Sequence, residues 1–198
     1  MTARDTNLQQ LIDLSQRIIS ASGHPQVERA ATRVFGRLAA SQGSSGAVAG
    51  GRLPVCQNNI EAALARLAAK ASPLPELGSA FAAVECGLRW YRRKTATPSD
   101  EPFYSSHANA MLIGPGGLED RADVQVGVTV MPPHALYPDH DHPPEEVYIA
   151  MSGGEWWNAG MDWNEPGPGG IIYNPPGILH AMRASEGPLL ALWFLPVD

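Results

Sequence analysis

The chain has 198 residues, 44% apolar and 17% charged, with a formal net charge of −6, which suits a soluble globular protein large enough to bury a real core. No apolar run approaches the roughly 18 residues of a membrane span, and the opening MTARDTNLQQ lacks a basic stretch leading into an apolar one, so neither membrane insertion nor a secretory signal is expected and the cytoplasm is the default compartment. Cys56 and Cys86 are too few for a disulfide framework and form no C-x-x-C pair, so idle thiols are expected.

The charge is unevenly spread. Residues 1–100 carry 12 Lys+Arg against 7 Asp+Glu, whereas residues 101–198 carry 2 against 13. Two differently built parts are expected, with no nucleic-acid groove in the acidic second half.

The first part has a helical period. Leu8, Leu11, Ile12, Ile18 and Ile19 share one face, and Val27, Ala30, Ala31, Val34, Phe35 and Leu38 share another, which predicts two amphipathic helices, the second with Pro25 in its first turn. A third helix carries Ile60, Leu64 and Leu67 behind a cap at Asn58 or Asn59, and a fourth carries Phe81, Val84, Leu88 and Tyr91. GSSGAVAGG at 43–51 is expected to be a loop, the basic run RWYRRK at 89–94 a solvated helix end, and TATPSDEP at 95–102 a linker. After the linker the period falls to two, with Val124, Val126, Val128 and Val130 alternating with other residues. Short apolar runs at 147–151, 171–173 and 189–195 follow, separated by PP, GG, GPGG and PPG turns. The expectation is an α+β chain: helices over 1–95, then a small antiparallel barrel over 105–198.

The chemistry concentrates in HDHPPEEVY at 140–148. In a strand, residues i and i+2 point to one side, so His140 and His142 can address one point, with Glu146 returning on the next strand after the Pro143-Pro144 turn. His180, after the turn in NPPGILHAM, completes a candidate set of three imidazoles and one carboxylate. Such ligands suit one divalent transition metal (iron, manganese, zinc, cobalt or nickel) and leave coordination positions open. Tyr148 shares the Glu146 face and aims into the same pocket, and Tyr137 stands near its mouth.

The stretch resembles the first cupin motif, G-x5-H-x-H-x3-E-x6-G, with His140, His142, Glu146 and Gly153 in register and His134 in place of the leading glycine. The second motif, G-x5-P-x-G-x2-H-x3-N, is matched by Gly169, Pro175, Gly177 and His180, with Ala184 at its last position. The ordering Y-x2-H-x-H-x3-E-x-Y, the EWW segment, YNPPGILHAMRA and the last strand PLLALWFLP further resemble the cupin-type dimethylsulfoniopropionate (DMSP) lyases, particularly the DddQ-like members.

The resemblance implies a single C-terminal jelly-roll cupin behind a helical segment. It also implies metal-dependent β-elimination of DMSP to dimethyl sulfide and acrylate, with Tyr148 or Tyr137 as base and no nucleic-acid or membrane partner. A sulfonium calls for aromatic faces, for which Trp193, Trp163 and Tyr104 are candidates. Two other readings share these residues: an oxygenase-type metal cupin, and a ligand-sensing regulator whose basic helices contact DNA. Neither the metal's identity nor the oligomeric state is specified by the sequence.

Overall fold

The computed structural model describes residues 4–46 and 49–198. Residues 1–3 of the opening segment, and Ala47 and Val48 of the expected 43–51 loop, lie outside the described residues. Four helices come first: α1 (Thr6–Ser20), α2 (Pro25–Ala40), α3 (Asn59–Ala68) and α4 (Leu74–Glu85). Among them lie β1 (Ser44–Ser45) and a 3-10 turn at Pro54–Cys56. The strands follow as β2 (Trp90–Tyr91), β3 (Ala108–Ile113), β4 (Glu119–Asp120), β5 (Val124–Met131), β6 (Leu136–His140) and β7 (Glu146–Ala150). The last are β8 (Glu155–Asn158), β9 (Met161–Asn164), β10 (Ile171–Asn174), β11 (His180–Arg183) and β12 (Leu189–Pro196). One sheet runs β1-β4-β3-β5-β12-β7-β10 with β2 beside β3, and a second runs β6-β11-β8-β9. The architecture is the helical segment followed by a sheet-rich, cupin-like barrel that the sequence predicts.

The helices form for local reasons. Asp5 caps α1 by accepting from the N–H groups of Asn7 (2.9 Å) and Leu8 (3.0 Å), and Pro25 opens α2, where its missing N–H costs nothing. The expected apolar faces of α1 and α2 are buried. At α3, Asn58 occupies the N-cap in a left-handed conformation without a side-chain cap, and Asn59 donates instead to the Val55 carbonyl at 2.7 Å.

The fourth helix departs from expectation, because it stops at Glu85 and Trp90–Tyr91 pair with Ala110 and Asn109 as a strand. The buried Glu85 explains the change of course. It accepts from Trp90 Nε1 at 2.9 Å and from Arg52 at 2.6 and 3.0 Å, and these bonds draw the chain after Gly87 back against the sheet. RWYRRK is therefore a strand and the loop after it, not the end of a helix.

Strand parity divides the interior into two cores. Val124, Val126, Val128 and Val130 of β5, Val147 and Ile149 of β7, and Leu190, Leu192 and Phe194 of β12 pack with the helices, Phe35 of α2 meeting Phe194 at 5.7 Å between ring centroids. The alternate residues, including Met131, Tyr148, Ala150, Leu189, Ala191, Trp193 and Leu195, form the barrel interior with Tyr137, Trp156 and Met182. The valine strand is thus covered on both faces, because helices roof its outer side. Gly127 keeps that interior open. A Cβ there would lie 2.1 Å from the Trp193 ring and 2.6 Å from the Ala110 carbonyl.

The replaced motif glycine is also explained. His134 has φ +62°, the left-handed region that glycine enters without penalty, and its N–H donates to the Ser185 carbonyl at 3.1 Å. The turn keeps the glycine-like geometry with a histidine in it, at some cost in strain.

Two stability outcomes follow from these backbone constraints. His134→Gly should stabilise the fold by about 0.5–1 kcal/mol, read as a melting temperature higher by roughly 1–4 °C, because the exposed imidazole contributes little. Gly127→Ala should destabilise by about 1–3 kcal/mol and alter the near-ultraviolet circular dichroism of tryptophan, as Trp193 is forced from its seat. Unchanged melting curves and spectra would contradict these readings.

Candidate metal centre

Glu146 opens β7 and faces the barrel interior, 4% exposed. His180 opens β11 and is 3% exposed. His142 lies in the turn after β6, and one ligand atom from each of these three residues falls within 4.8 Å of the other two. The sequence expectation that His140 and His142 share one strand holds only for His140, since β6 ends there. The turn completed by Pro143 and Pro144, not strand parity, brings His142 in. His140 pairs with His180 across the sheet, and their ring centroids are 4.1 Å apart, so it adjoins the three-residue group without belonging to it.

The hydrogen bonds orient every imidazole. Nδ1–H of His140 donates to the Pro138 carbonyl, that of His142 to Pro144 and that of His180 to Ile178, each at 2.9 Å. A carbonyl can only accept, so Nδ1 carries the proton in all three rings, an arrangement that frees Nε2 to bind a metal.

The His180 Nε2 atom is buried without a hydrogen-bond partner among the described residues, 3.4 Å from Glu146 Oε2. His142 Nε2 lies 3.2 Å from the same oxygen. Acceptors face both nitrogens of His142, the Pro144 carbonyl at Nδ1 and Glu146 Oε2 at Nε2, which favours its protonated form. Burial works against this charge, but the Glu146 bond and charge raise its pKa above the ordinary value. Burial likewise would raise the Glu146 pKa, yet the bond from His142 and the nearness of His180 hold the carboxyl well below the usual range. His140 is pushed down to about 3 by burial and by His180. The site therefore gathers a buried carboxylate and a buried imidazole nitrogen without a hydrogen-bond partner, a donor set that fits a divalent cation.

Asparagines support the carboxylate. Gly160 N–H donates to Asn158 Oδ1 (3.0 Å), Asn158 Nδ2 to Asn174 Oδ1 (3.1 Å), and Asn174 Nδ2 reaches Glu146 Oε2 at 3.4 Å. On the other face of β7, Glu145 is satisfied by Arg33 and by the Tyr173 hydroxyl, both at 2.8 Å.

His140, His142 and Glu146 line a cavity of about 780 Å³ together with Tyr137, Tyr148, Trp193, Asn109, Thr129 and residues 89 and 91–95, whereas His180 is not on its lining. Tyr148 stands opposite Trp193 across the β7–β12 pair. Tyr137 shares the cavity through a bulge: Met182 pairs with Tyr137 and His180 with His140, so three steps on β6 oppose two on β11 and the alternation of sides is reset. Burial pushes both phenols up. For Tyr148 the Glu146 charge adds to the shift, whereas for Tyr137 the Asn109 hydrogen bond and the Arg93 charge oppose it.

Of the aromatic candidates, Trp193 lines the cavity. Trp163 is 36% exposed on β9 beneath the Arg183 guanidinium, and Tyr104 lies under Arg92; neither lines it. Sequence reasoning missed Tyr91, Arg93, Asn109 and Thr129, and the only available signal was the RWYRRK run itself. A larger cavity of about 1240 Å³ opens between the α1–α2 turn, the α3–α4 connection and strands β8 to β10. It contains none of the three clustered ligands, so size does not choose the site.

A family model described as dimethylsulfoniopropionate lyase matches residues 26–191. The chain is 32% identical over 114 residues to dimethylsulfoniopropionate lyase DddQ of Ruegeria pomeroyi, an alignment spanning 57% of this chain and 57% of that relative's length. Its fold is similar to the crystal structure of DMSP lyase DddQ from Ruegeria pomeroyi DSS-3, with a TM-score of 0.72 and 24% identity over 98% of this chain and 93% of that one. A second similar structure, reported with the DMSP lyases RdDddP and RnDddQII, has a TM-score of 0.67 and 23% identity over 96% and 92% of the two chains. With the family model covering most of its length, the chain belongs to the dimethylsulfoniopropionate lyase family.

Proposed function

We propose that the protein is a metal-dependent carbon–sulfur lyase that cleaves DMSP by β-elimination to dimethyl sulfide and acrylate. The observation that carries this reading is one cavity lined by His142 and Glu146, which cluster with His180, and by two buried phenols and the Trp193 ring. His142, Glu146 and His180 would hold the metal, and His140, in ring contact with His180, would complete the set. Bound there, a divalent ion would supply Lewis acidity that offsets the charge building up on the substrate carboxylate as the neighbouring carbon loses its proton.

The chain's own residues do the rest. As the phenolate, Tyr148 Oη takes the α-carbon proton and becomes the phenol, the released pair forms the carbon–carbon double bond, and the bond to sulfur breaks to release a neutral thioether. Burial and Glu146 keep this phenol protonated, so it serves as a base only where positive charge at the cluster offsets that carboxylate. Trp193 offers the cation a ring face, fixed by its Nε1 bond to Thr129 Oγ1 at 3.1 Å. Trp163 and Tyr104, outside the cavity lining, are assigned no substrate contact.

We further assign the 105–198 barrel as the unit that holds the metal and the base, with α1–α4 of the 1–95 region as its support and contributing no ligand, while the segment around β2 adds to the cavity wall. The RWYRRK run, which favoured a DNA-contacting regulator, lies along the cavity wall. A reducing, cytoplasmic setting suits the free thiols Cys56 and Cys86, and among the described residues no helix is long and apolar enough to cross a membrane.

Purified, metal-loaded protein given DMSP without oxygen should release dimethyl sulfide and acrylate in equal amounts; an oxygen requirement would favour the oxygenase reading, and no thioether would end the lyase one. Tyr148→Phe should keep its metal and lose about 10²–10⁴-fold in turnover, the range for loss of a general base. Tyr137→Phe measured beside it decides between the two phenols, the base being the one whose loss removes turnover with binding intact. Metal affinity should also fall by about tenfold per unit as the pH is lowered through the raised pKa of His142, since proton and metal compete for its Nε2. Direct metal titrations at pH 8 and pH 6 with equal affinities would contradict that ligand assignment.

A further inference from the structure

The cavity carries cations on one wall only. Arg121 and Arg183, the two arginines of residues 101–198, are engaged elsewhere, Arg121 with Asp123 and Glu119 and Arg183 with Glu155. The cations lining the cavity, Arg89, Arg92, Arg93 and Lys94, all come from the segment around β2. Arg89 and Lys94 are exposed. Arg92 is committed, its Nε donating to the Tyr104 carbonyl at 2.7 Å and its guanidinium lying 4.4 Å above the Tyr104 ring.

Arg93 is different. It is half-buried, and its backbone N–H is anchored by donation to Nε2 of the fully buried His107 at 2.8 Å. His107 in turn donates from Nδ1 to the Phe103 carbonyl at 2.7 Å and stacks on the Phe103 ring at 3.9 Å. The Arg93 guanidinium carbon lies 5.9 Å from the centre of the Tyr137 ring. Among the described residues it has no carboxylate partner. Asp141, on the exposed rim of the same cavity, forms no ion pair with it.

A second group beside Arg93 also lacks an acceptor. The indole Nε1–H of Trp193 can only donate, and it donates to Thr129 Oγ1 at 3.1 Å. The Thr129 hydroxyl proton therefore goes to Asn109 Oδ1 at 2.6 Å. That fixes the Asn109 amide with its NH2 toward Tyr137 Oη, at 3.4 Å. Every donor in this buried ladder points the same way, so the Tyr137 oxygen accepts and its own proton is left free to donate. A half-buried guanidinium and a buried hydroxyl, each without an anionic acceptor, stand together at the wall of one cavity.

We propose that Arg93 and the Tyr137 hydroxyl form a carboxylate-recognition site in this cavity, with Asn109 and Thr129 as positioning residues that aim the hydroxyl. The proposal rests on the lyase reading for the substrate's identity. A zwitterion carrying a carboxylate at one end and a sulfonium at the other would be bound in one orientation, its anion toward Arg93 and its cation kept from Arg93 and toward Trp193. Arginine suits the task because its planar fork can meet both carboxylate oxygens, or the one left free by other ligands.

The test is calorimetric titration of metal-loaded, full-length protein with sodium propionate, a carboxylate lacking any sulfonium. Arg93→Gln should weaken propionate binding by about 10- to 100-fold, as for loss of a hydrogen-bonded ion pair. Arg93→Lys, which retains the charge but not the fork, should fall between, and Asn109→Ala should weaken binding by roughly threefold by freeing the hydroxyl to turn. Metal content should be unchanged throughout. In turnover, Arg93→Gln should raise KM for DMSP by about tenfold or more with kcat within roughly threefold, and trimethylsulfonium, a cation without a carboxylate, should inhibit it no less than the wild type. Propionate that fails to bind wild-type protein, or binds Arg93→Gln and Arg93→Lys as tightly as wild type, overturns the proposal. If propionate binding depends on Arg93 while DMSP releases no dimethyl sulfide, the lyase reading fails and the carboxylate site stands.

Discussion

A carboxylate sealed inside a barrel must be met by positive charge and hydrogen-bond donors, and Glu146, 4% exposed, is met by both. An unpaired carboxylate there would cost several kcal/mol. His142 and His180 approach one of its oxygens from two different segments, and Asn174 approaches from a third. The three histidine rings are turned toward one another by backbone carbonyls that bind their Nδ1–H groups. The cluster thus ties together the turn after β6, the start of β7, the end of β10 and the start of β11. The consecutive acid Glu145 has to be dealt with on the opposite face, and Arg33 from α2 does so. The helical layer is in this sense part of the same electrostatic solution.

That layer has a second consequence. With helices covering the outer side of β5, β7 and β12, those strands can be apolar on both faces, and the inward face is released from carrying the whole hydrophobic core. It holds instead Thr129, Tyr148 and Trp193 among smaller apolar residues, with Gly127 leaving room for the indole. Polar groups in such a place are tolerated only when satisfied. The Trp193–Thr129–Asn109–Tyr137 ladder satisfies them in one direction, which leaves one donor over for a ligand.

Much of this was legible in the sequence. The helical faces of α1 and α2 followed from spacing alone, as did the switch to period two at β5, because burial on one side imposes a period whatever the neighbours are. His142, Glu146 and His180 were legible because metal-binding residue types recur at motif spacing. Local signals misled where a distant partner decides. RWYRRK has the composition of a helix end, but Glu85 and Arg52 turn it into a strand and a cavity wall. Trp163 and Tyr104 are as aromatic as Trp193, yet cation contacts with Arg183 and Arg92 occupy them outside the cavity.

The sequence by itself determined that a helical part precedes a strand-rich part, the residue types of the His–Glu cluster and the face on which Tyr148 sits, since these depend on short-range periodicity and on the chemistry of single side chains. Only the tertiary structure decided that Tyr137 and His140 face the same space, that His142 enters from a turn, and that Arg93, Asn109 and Thr129 belong to the cavity. Each of those outcomes depends on pairing between segments far apart in the chain: a bulge against β11, a carbonyl after a proline turn, and the register of β3 on β5. Register fixes which side chains meet, and no local pattern in this chain encodes it.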